Sequence, residues 1–91
     1  MEPLILAGDV DVANVDEVLD DLLRQFETRE LGEDDRVVID ASGVTYFGSR
    51  GLRMLVQFRF RSHREVIVVN APKELRRVLV ISGLDQLFEL R

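Results

Sequence analysis

Ser49 stands between two glycines in the stretch TYFGSRGL, residues 45–52, where a predicted strand gives way to a predicted helix. A serine in this place could cap the helix, accept a phosphoryl group or attack a substrate. Capping is the simplest of the three interpretations, because a serine oxygen satisfies one of the free amide donors at a helix start. The surrounding residues decide which of the other two is supported.

Catalysis by Ser49 lacks a partner. A nucleophilic serine needs a base within hydrogen-bonding reach, and the single histidine, His63, lies at the far end of the same predicted helix, about 20 Å away at about 1.5 Å per residue. The sequence has no cysteine, no Walker A loop and no close set of histidines and carboxylates that would hold a metal. We therefore expect no catalytic residue, no metal and no cofactor, and we expect that the chain is not an enzyme.

Phosphorylation of Ser49 fits the local chemistry better. A phosphoryl group there would meet free amides at the positive end of the helix dipole, with Arg50 and Arg53 close by. Bases at a helix start oppose the dipole, so these two arginines are not placed for helix stability. The helix is predicted to carry one polar stripe of Arg50, Arg53, Gln57, Arg61 and Arg64. This stripe is either a solvated face or a surface for an acidic partner.

Charge is distributed unevenly along the 91 residues, which we predict to form one domain, 1–91. Residues 1–40 hold 13 acids and 3 bases, a net charge of 3 − 13 = −10, and residues 41–91 hold 4 acids and 9 bases, a net charge of 9 − 4 = +5. A surface with both signs suits docking to another protein. A chain with a net charge of −5 does not suit binding to the phosphates of nucleic acid. Without a basic leader or a long apolar run, we expect a cytoplasmic protein with no membrane insertion.

Apolar segments and helical periodicity alternate along the chain. The predicted strands are 4–7, 36–41, 65–70 and 86–90. The predicted helices start at Asn14, Ser49 and Pro72. Asn14 and Glu17 suggest a capping box for the first helix, with Gly32 as its end, and Gly83 suggests the end of the third. We expect Leu52, Leu55 and Val56 to face inward from the second helix.

The alternation predicts an α/β fold with a mostly parallel four-stranded sheet and helical cover. The run Val-Val-Ile at 37–39 predicts a strand buried on both faces. Parallel sheets bind ligands beyond the carboxyl ends of their strands, so the loop after Ala41 is the expected functional edge.

Three stretches carry a family resemblance. VVIDASGVTYFGSRGL, residues 37–52, resembles the signature of STAS domains of the anti-sigma factor antagonist family, in which a strand D-L-S-G-V-x-x-x-D-S-S/A-G-L leads into a helix. LILAGDVDVANVDEVLDDLL resembles the G-E-L-D-x-A-T segment and first helix of that family. VIVVNAPKELRRVLVISGLDQLFEL resembles its third strand, third helix and G-L-x-x-L-F ending. The resemblance spans nearly the whole chain.

The resemblance implies a protein-interaction switch. Such a protein binds an anti-sigma factor kinase and thereby releases a sigma factor; the kinase phosphorylates the serine that opens the second helix, and a phosphatase reverses the modification. The modified serine corresponds to Ser49, and the loop aspartate beside the docking surface corresponds to Asp11. The implied partner-binding residues are Asp11, Gly48, Ser49, Arg50 and Arg53.

The chain departs from the family pattern in three ways. Gly48 stands where the family has an aspartate, and Arg50 stands where it has a small residue. Relative to the family pattern we expect a core trimmed at both ends, without most of the first strand and without the C-terminal helix. The missing carboxylate favours an alternative: a non-phosphorylated STAS subunit, for example one that rests on the ATPase subunit of a lipid ABC transporter. Whether open sheet edges pair two copies into a homodimer is left undecided by the sequence.

Overall fold

The strands and helices alternate as predicted. The computed structural model describes residues 2–32 and 35–91, and within them the elements are β1 (Leu4–Val10), α1 (Val15–Glu27), β2 (Val37–Phe47), α2 (Ser49–Ser62), β3 (Val66–Val69), α3 (Lys73–Ile81), a 3-10 turn (Leu84–Gln86) and β4 (Phe88–Leu90). All neighbouring strands are parallel, in the order β1-β2-β3-β4. The predicted α/β fold with a four-stranded parallel sheet is therefore confirmed.

The helices cover one face of the sheet. Each crossover moves to the next strand in the same direction, and right-handed crossovers of this kind put their helices on one side. Burial agrees: in β1 the side chains of Leu4, Leu6 and Val10 are buried, whereas those of Ile5 and Ala7 are exposed. The prediction that the Val-Val-Ile run is buried on both faces is wrong at Val38, which is only half-buried because it faces the uncovered side.

The core lies between this face and the three helices. Phe58 of α2 is fully buried and meets Phe26 of α1 edge to face, with ring centroids 6.1 Å apart. Leu19 and Leu22 come from α1, and Leu75 and Leu79 from α3. In α2 the deepest side chains include Met54, Leu55 and Phe58, while the predicted Leu52 and Val56 are half-buried at the margin.

Strand β2 continues six residues beyond the predicted end at Ala41. The register against β1 shifts between Ile5 and Ala7 and again between Gly8 and Asp9, and each shift accommodates one extra residue of β2. Such bulges keep a strand paired across small and polar residues that look like a turn in the sequence. The functional edge predicted after Ala41 consequently lies after Phe47.

Two predicted helix ends are also corrected. Asn14 precedes α1, but its side chain makes no capping bond to the helix, so the capping box with Glu17 is wrong. Helix α1 ends at Glu27, five residues before the predicted Gly32. Gly83 does follow α3 in the left-handed conformation, at φ 78°, as predicted.

Among residues 2–32 and 35–91, no helix combines the length and apolar character needed to cross a bilayer.

Candidate functional site

Gly48 connects β2 to α2 and sets where the helix begins. Its N–H donates to the carbonyl of Val10 at 2.9 Å, and its own carbonyl accepts from the N–H of Gly51 at 3.0 Å. Gly48 is therefore the N-cap residue, in extended conformation, and Ser49 is the first residue of the helix. The prediction that Ser49 caps α2 is wrong, because the bond to Val10 holds the preceding residue at the capping position. The exposed side chain of Ser49 makes no capping hydrogen bond.

The turn between β1 and α1 lies beside Gly48, since Val10 pairs with Phe47. Asp11 accepts a hydrogen bond from the N–H of Ala13 at 2.9 Å, which closes the turn. Asn14 accepts from the N–H of Asp11 at 3.0 Å and donates to the carbonyl of Asp9 at 2.7 Å. The structure therefore brings Asp11 to the same edge as Ser49, and it gives Asp11 a role in shaping the turn.

Two apolar side chains at this edge were missed by sequence reasoning. Val12 in the turn is 68% exposed, and Tyr46 near the end of β2 is 57% exposed. The signal for Val12 was an apolar residue directly after Asp11, beyond the predicted end of the first strand, and the signal for Tyr46 was its place shortly before the predicted start of the second helix. We call the set of Asp11, Val12, Tyr46, Gly48, Ser49, Arg50 and Arg53 the α2-start surface.

The predicted arginine stripe holds for most of its length. Arg50, Arg53, Gln57 and Arg61 are all exposed on α2. Arg64 is not part of it, because α2 ends at Ser62 and the Arg64 guanidinium turns to the carbonyls of Gly32 and Asp35. Its role is to hold the segment before β2, and the stripe proper consists of three arginines and one glutamine.

The electrostatics of α1 and α2 differ at their starts. Helix α1 has Asp16 and Glu17 in its first turn, where acids favour the dipole, whereas the first turn of α2 contains no acid. The positive dipole end of α2 is therefore reinforced by Arg50, and the arrangement can attract a phosphoryl group or a carboxylate.

Neither His63 nor a group of potential metal ligands adds a site among the residues that the structure describes. His63 ends α2 in the left-handed conformation, at φ 56°, at the opposite end of the helix from Ser49. Among the residues that the structure describes, no three His, Cys, Asp or Glu side chains are grouped to hold a metal ion.

Asp40 supports the first bulge of β2, before the α2-start surface. Its carboxylate accepts a hydrogen bond from the N–H of Ser42 at 2.9 Å. This backbone bond, with further help from the Ser42 and Asn70 side chains, lowers the pKa of Asp40 below the ordinary value for an aspartate.

One family model, described as "Mlab, STAS domain", matches residues 3–90. The chain belongs to this STAS domain family. The match confirms the resemblance seen in the three sequence stretches. No curated protein matches the chain significantly. STAS domains generally mediate protein–protein interactions, so the α2-start surface is a candidate docking surface of this STAS domain.

Proposed function

We propose that this STAS domain is an interaction subunit that docks onto a partner protein through the α2-start surface. The observation that carries the proposal is the exposure of Val12 and Tyr46 beside the polar groups of Ser49 and Arg50. Exposed aromatic and apolar side chains next to an arginine are the composition that anchors protein interfaces. The partner surface is acidic at the point that meets Arg50 and Arg53.

The first form of this proposal is an anti-sigma factor antagonist. The partner is then an anti-sigma factor kinase, docking releases a sigma factor, and phosphorylation of Ser49 ends the complex until a phosphatase removes the group. The exposed hydroxyl of Ser49 and the free amides of the first turn support this form. A phosphoryl group would turn a basic surface acidic and so repel an acidic partner.

The experiment for this form uses the kinase that copurifies with the tagged protein. With ATP, the kinase should modify the wild type and Ser42→Ala, which removes another exposed serine, but not Ser49→Ala. Modified protein should bind the kinase at least about tenfold more weakly, because a dianion at a charged interface costs more than about 1.4 kcal/mol. A wild type that stays unmodified, or modification that persists in Ser49→Ala, would refute the switch.

The second form is docking without phosphorylation, for example onto the ATPase subunit of a lipid ABC transporter. The residue that favours it is Gly48, which stands before Ser49 where the anti-sigma factor antagonist motif that the sequence resembles has an aspartate. Affinity purification followed by mass spectrometry separates the two forms. An ATPase together with a permease supports the transporter subunit, and a sigma-regulatory kinase supports the antagonist.

We further propose that the protein acts in the cytoplasm and catalyses no reaction itself. Ser49 and His63 lie at opposite ends of α2, about 21 Å apart at about 1.5 Å per residue. Purified protein should therefore hydrolyse neither ATP nor GTP. Turnover that disappears in Asp11→Ala or Ser49→Ala would contradict this.

A further inference from the structure

Strand β1 forms one edge of the sheet, and the side chain of Gln25 occupies that edge. Its amide oxygen accepts a hydrogen bond from the N–H of Ile5 at 2.8 Å, and its amide nitrogen donates to the carbonyl of Ile5 at 2.9 Å. Both backbone groups of one residue are thus bonded by a single side chain. A neighbouring strand would satisfy the same two groups, so Gln25 imitates a strand at this position.

The orientation of the Gln25 amide is fixed by a third bond. Its nitrogen also donates to a carboxylate oxygen of Asp21, one helical turn earlier in α1, at 2.8 Å. A carboxylate only accepts and a carbonyl only accepts, so the amide nitrogen must face both of them and the oxygen must face the N–H of Ile5. Asp21 therefore keeps the strand-imitating face of Gln25 directed at β1.

The other end of the same edge is closed by a second side-chain amide. Asn14 donates to the carbonyl of Asp9 at 2.7 Å, four residues further along β1. Backbone groups of residues two apart point to the same side of a regular strand, so those of Ile5 and Ala7 share the outer edge. Gly8, at φ 80°, interrupts this alternation, and the bond from Asn14 reaches the Asp9 carbonyl just beyond it. A shallow depression of about 250 Å³ lies along this edge beside Asn14, bordered by Ala7, Glu17 and Asp21 among others.

We propose that Gln25 guards the outer edge of β1 against addition of a β1 strand from a second copy of this chain. An exposed strand edge offers unpaired N–H and C=O groups that a like strand can bond. A two-fold antiparallel pairing of β1 with itself would need the groups of Ile5, which Gln25 holds. The acids beside Ala7 would also meet their own copies in such a pair. The proposal is independent of what docks at the α2-start surface.

The wild-type protein supplies the first test. In amide hydrogen exchange, the N–H of Ile5 should exchange about tenfold more slowly than that of Ala7, because only the former is bonded at this edge. Equal exchange rates at the two amides would show that the Gln25 contact does not hold the edge in solution and would overturn the proposal.

The variant Gln25→Ala supplies the second test, with Gln57→Ala as the control because it removes an exposed glutamine from α2. Circular dichroism establishes that both variants are folded. Light scattering after gel filtration should show Gln25→Ala shifting with concentration from the mass of one chain toward that of two, with Ala7 becoming protected in exchange. Gln57→Ala should keep the mass of one chain. If folded Gln25→Ala remains as monomeric as the control, Gln25 is not a guard.

Discussion

The α2-start surface and the outer edge of β1 lie close together, yet they differ in whether side chains bond their backbone polar groups. Along β1, the amides of Gln25 and Asn14 bond backbone groups that would otherwise be open. At the start of α2, a glycine stands at the N-cap and the serine that follows makes no capping bond. The difference fits our proposals that one region is closed against association and that the other is the docking surface.

The largest expected effect is the loss of stability caused by a substitution in the hydrophobic core beneath both regions. Phe58 is fully buried, so Phe58→Ala should reduce the free energy of unfolding by about 3–5 kcal/mol. Phe60 lies two positions away and is 59% exposed, so Phe60→Ala should change it by less than about 0.5 kcal/mol. Urea denaturation measures both variants. Similar losses in the two would mean that α2 is not packed in this orientation.

The second effect concerns binding at the α2-start surface. Reversing both charges in Arg50→Glu/Arg53→Glu should weaken binding of the copurified partner at least about tenfold, or more than about 1.4 kcal/mol. The fold should not be destabilised, because acids suit the start of a helix. The matched control is Arg76→Glu/Arg77→Glu, which makes the same charge change on exposed positions of α3. Calorimetric titration compares the two. Equal loss of affinity in both double variants would mean that net charge, and not contact at the α2-start surface, causes the effect.

A smaller effect should follow from giving helix α2 an N-cap residue whose side chain can accept a hydrogen bond. A Cβ at Gly48 would lie 3.4 Å from the Tyr46 ring and 3.7 Å from the Val10 carbonyl, which is ordinary contact. An aspartate is a good N-cap residue and suits the dipole, so Gly48→Asp should stabilise the protein by a few tenths of a kcal/mol, up to about 1 kcal/mol.

Gly48→Ala is the control for this change, because it adds the Cβ without a capping oxygen. Thermal melting should place Gly48→Asp above the wild type and Gly48→Ala at or below it. A destabilised Gly48→Asp would mean that the extended backbone at this position does not place the side chain over the first turn.

The smallest effect concerns pH. Because the N–H of Ser42 lowers the pKa of Asp40, ionised Asp40 stabilises the folded state above the unfolded pKa, about 3.8, and this contribution is lost as the pH falls through the lower folded pKa. Urea midpoints between pH 6 and pH 2.5 should therefore fall more steeply for the wild type than for Asp40→Asn. Parallel curves would show that the bond to Ser42 does not contribute.

Local signals in the sequence were sufficient for part of this picture. The start of α2 at Ser49 and the end of α3 at Gly83 were predicted because they depend on a few neighbouring residues. The length of β2 was not predicted, since Ser42, Gly43 and Thr45 are residue types common in turns. They remain in the strand because β1 pairs with this part of β2 across two bulges. The bond between Gln25 and Ile5 joins residues 20 positions apart and depends on how α1 packs, so periodicity could not indicate it.

The site shows the same division between local and tertiary information. The motif placed Ser49 at the start of α2, but which residue caps the helix was decided by the bond from Gly48 to Val10 on another strand. The exposure of Val12 and Tyr46 likewise depends on where β1 and β2 end relative to each other.

Hydrogen exchange of the protein alone and with its copurified partner tests the central claim most directly. The account predicts that the partner slows exchange in residues 46–53 and in the turn at 11–13, while the amides of Ile5 and Ala7 keep the rates of the free protein. Protection confined to β1, or spread over α3 with no change at residues 46–53, would contradict docking through the α2-start surface.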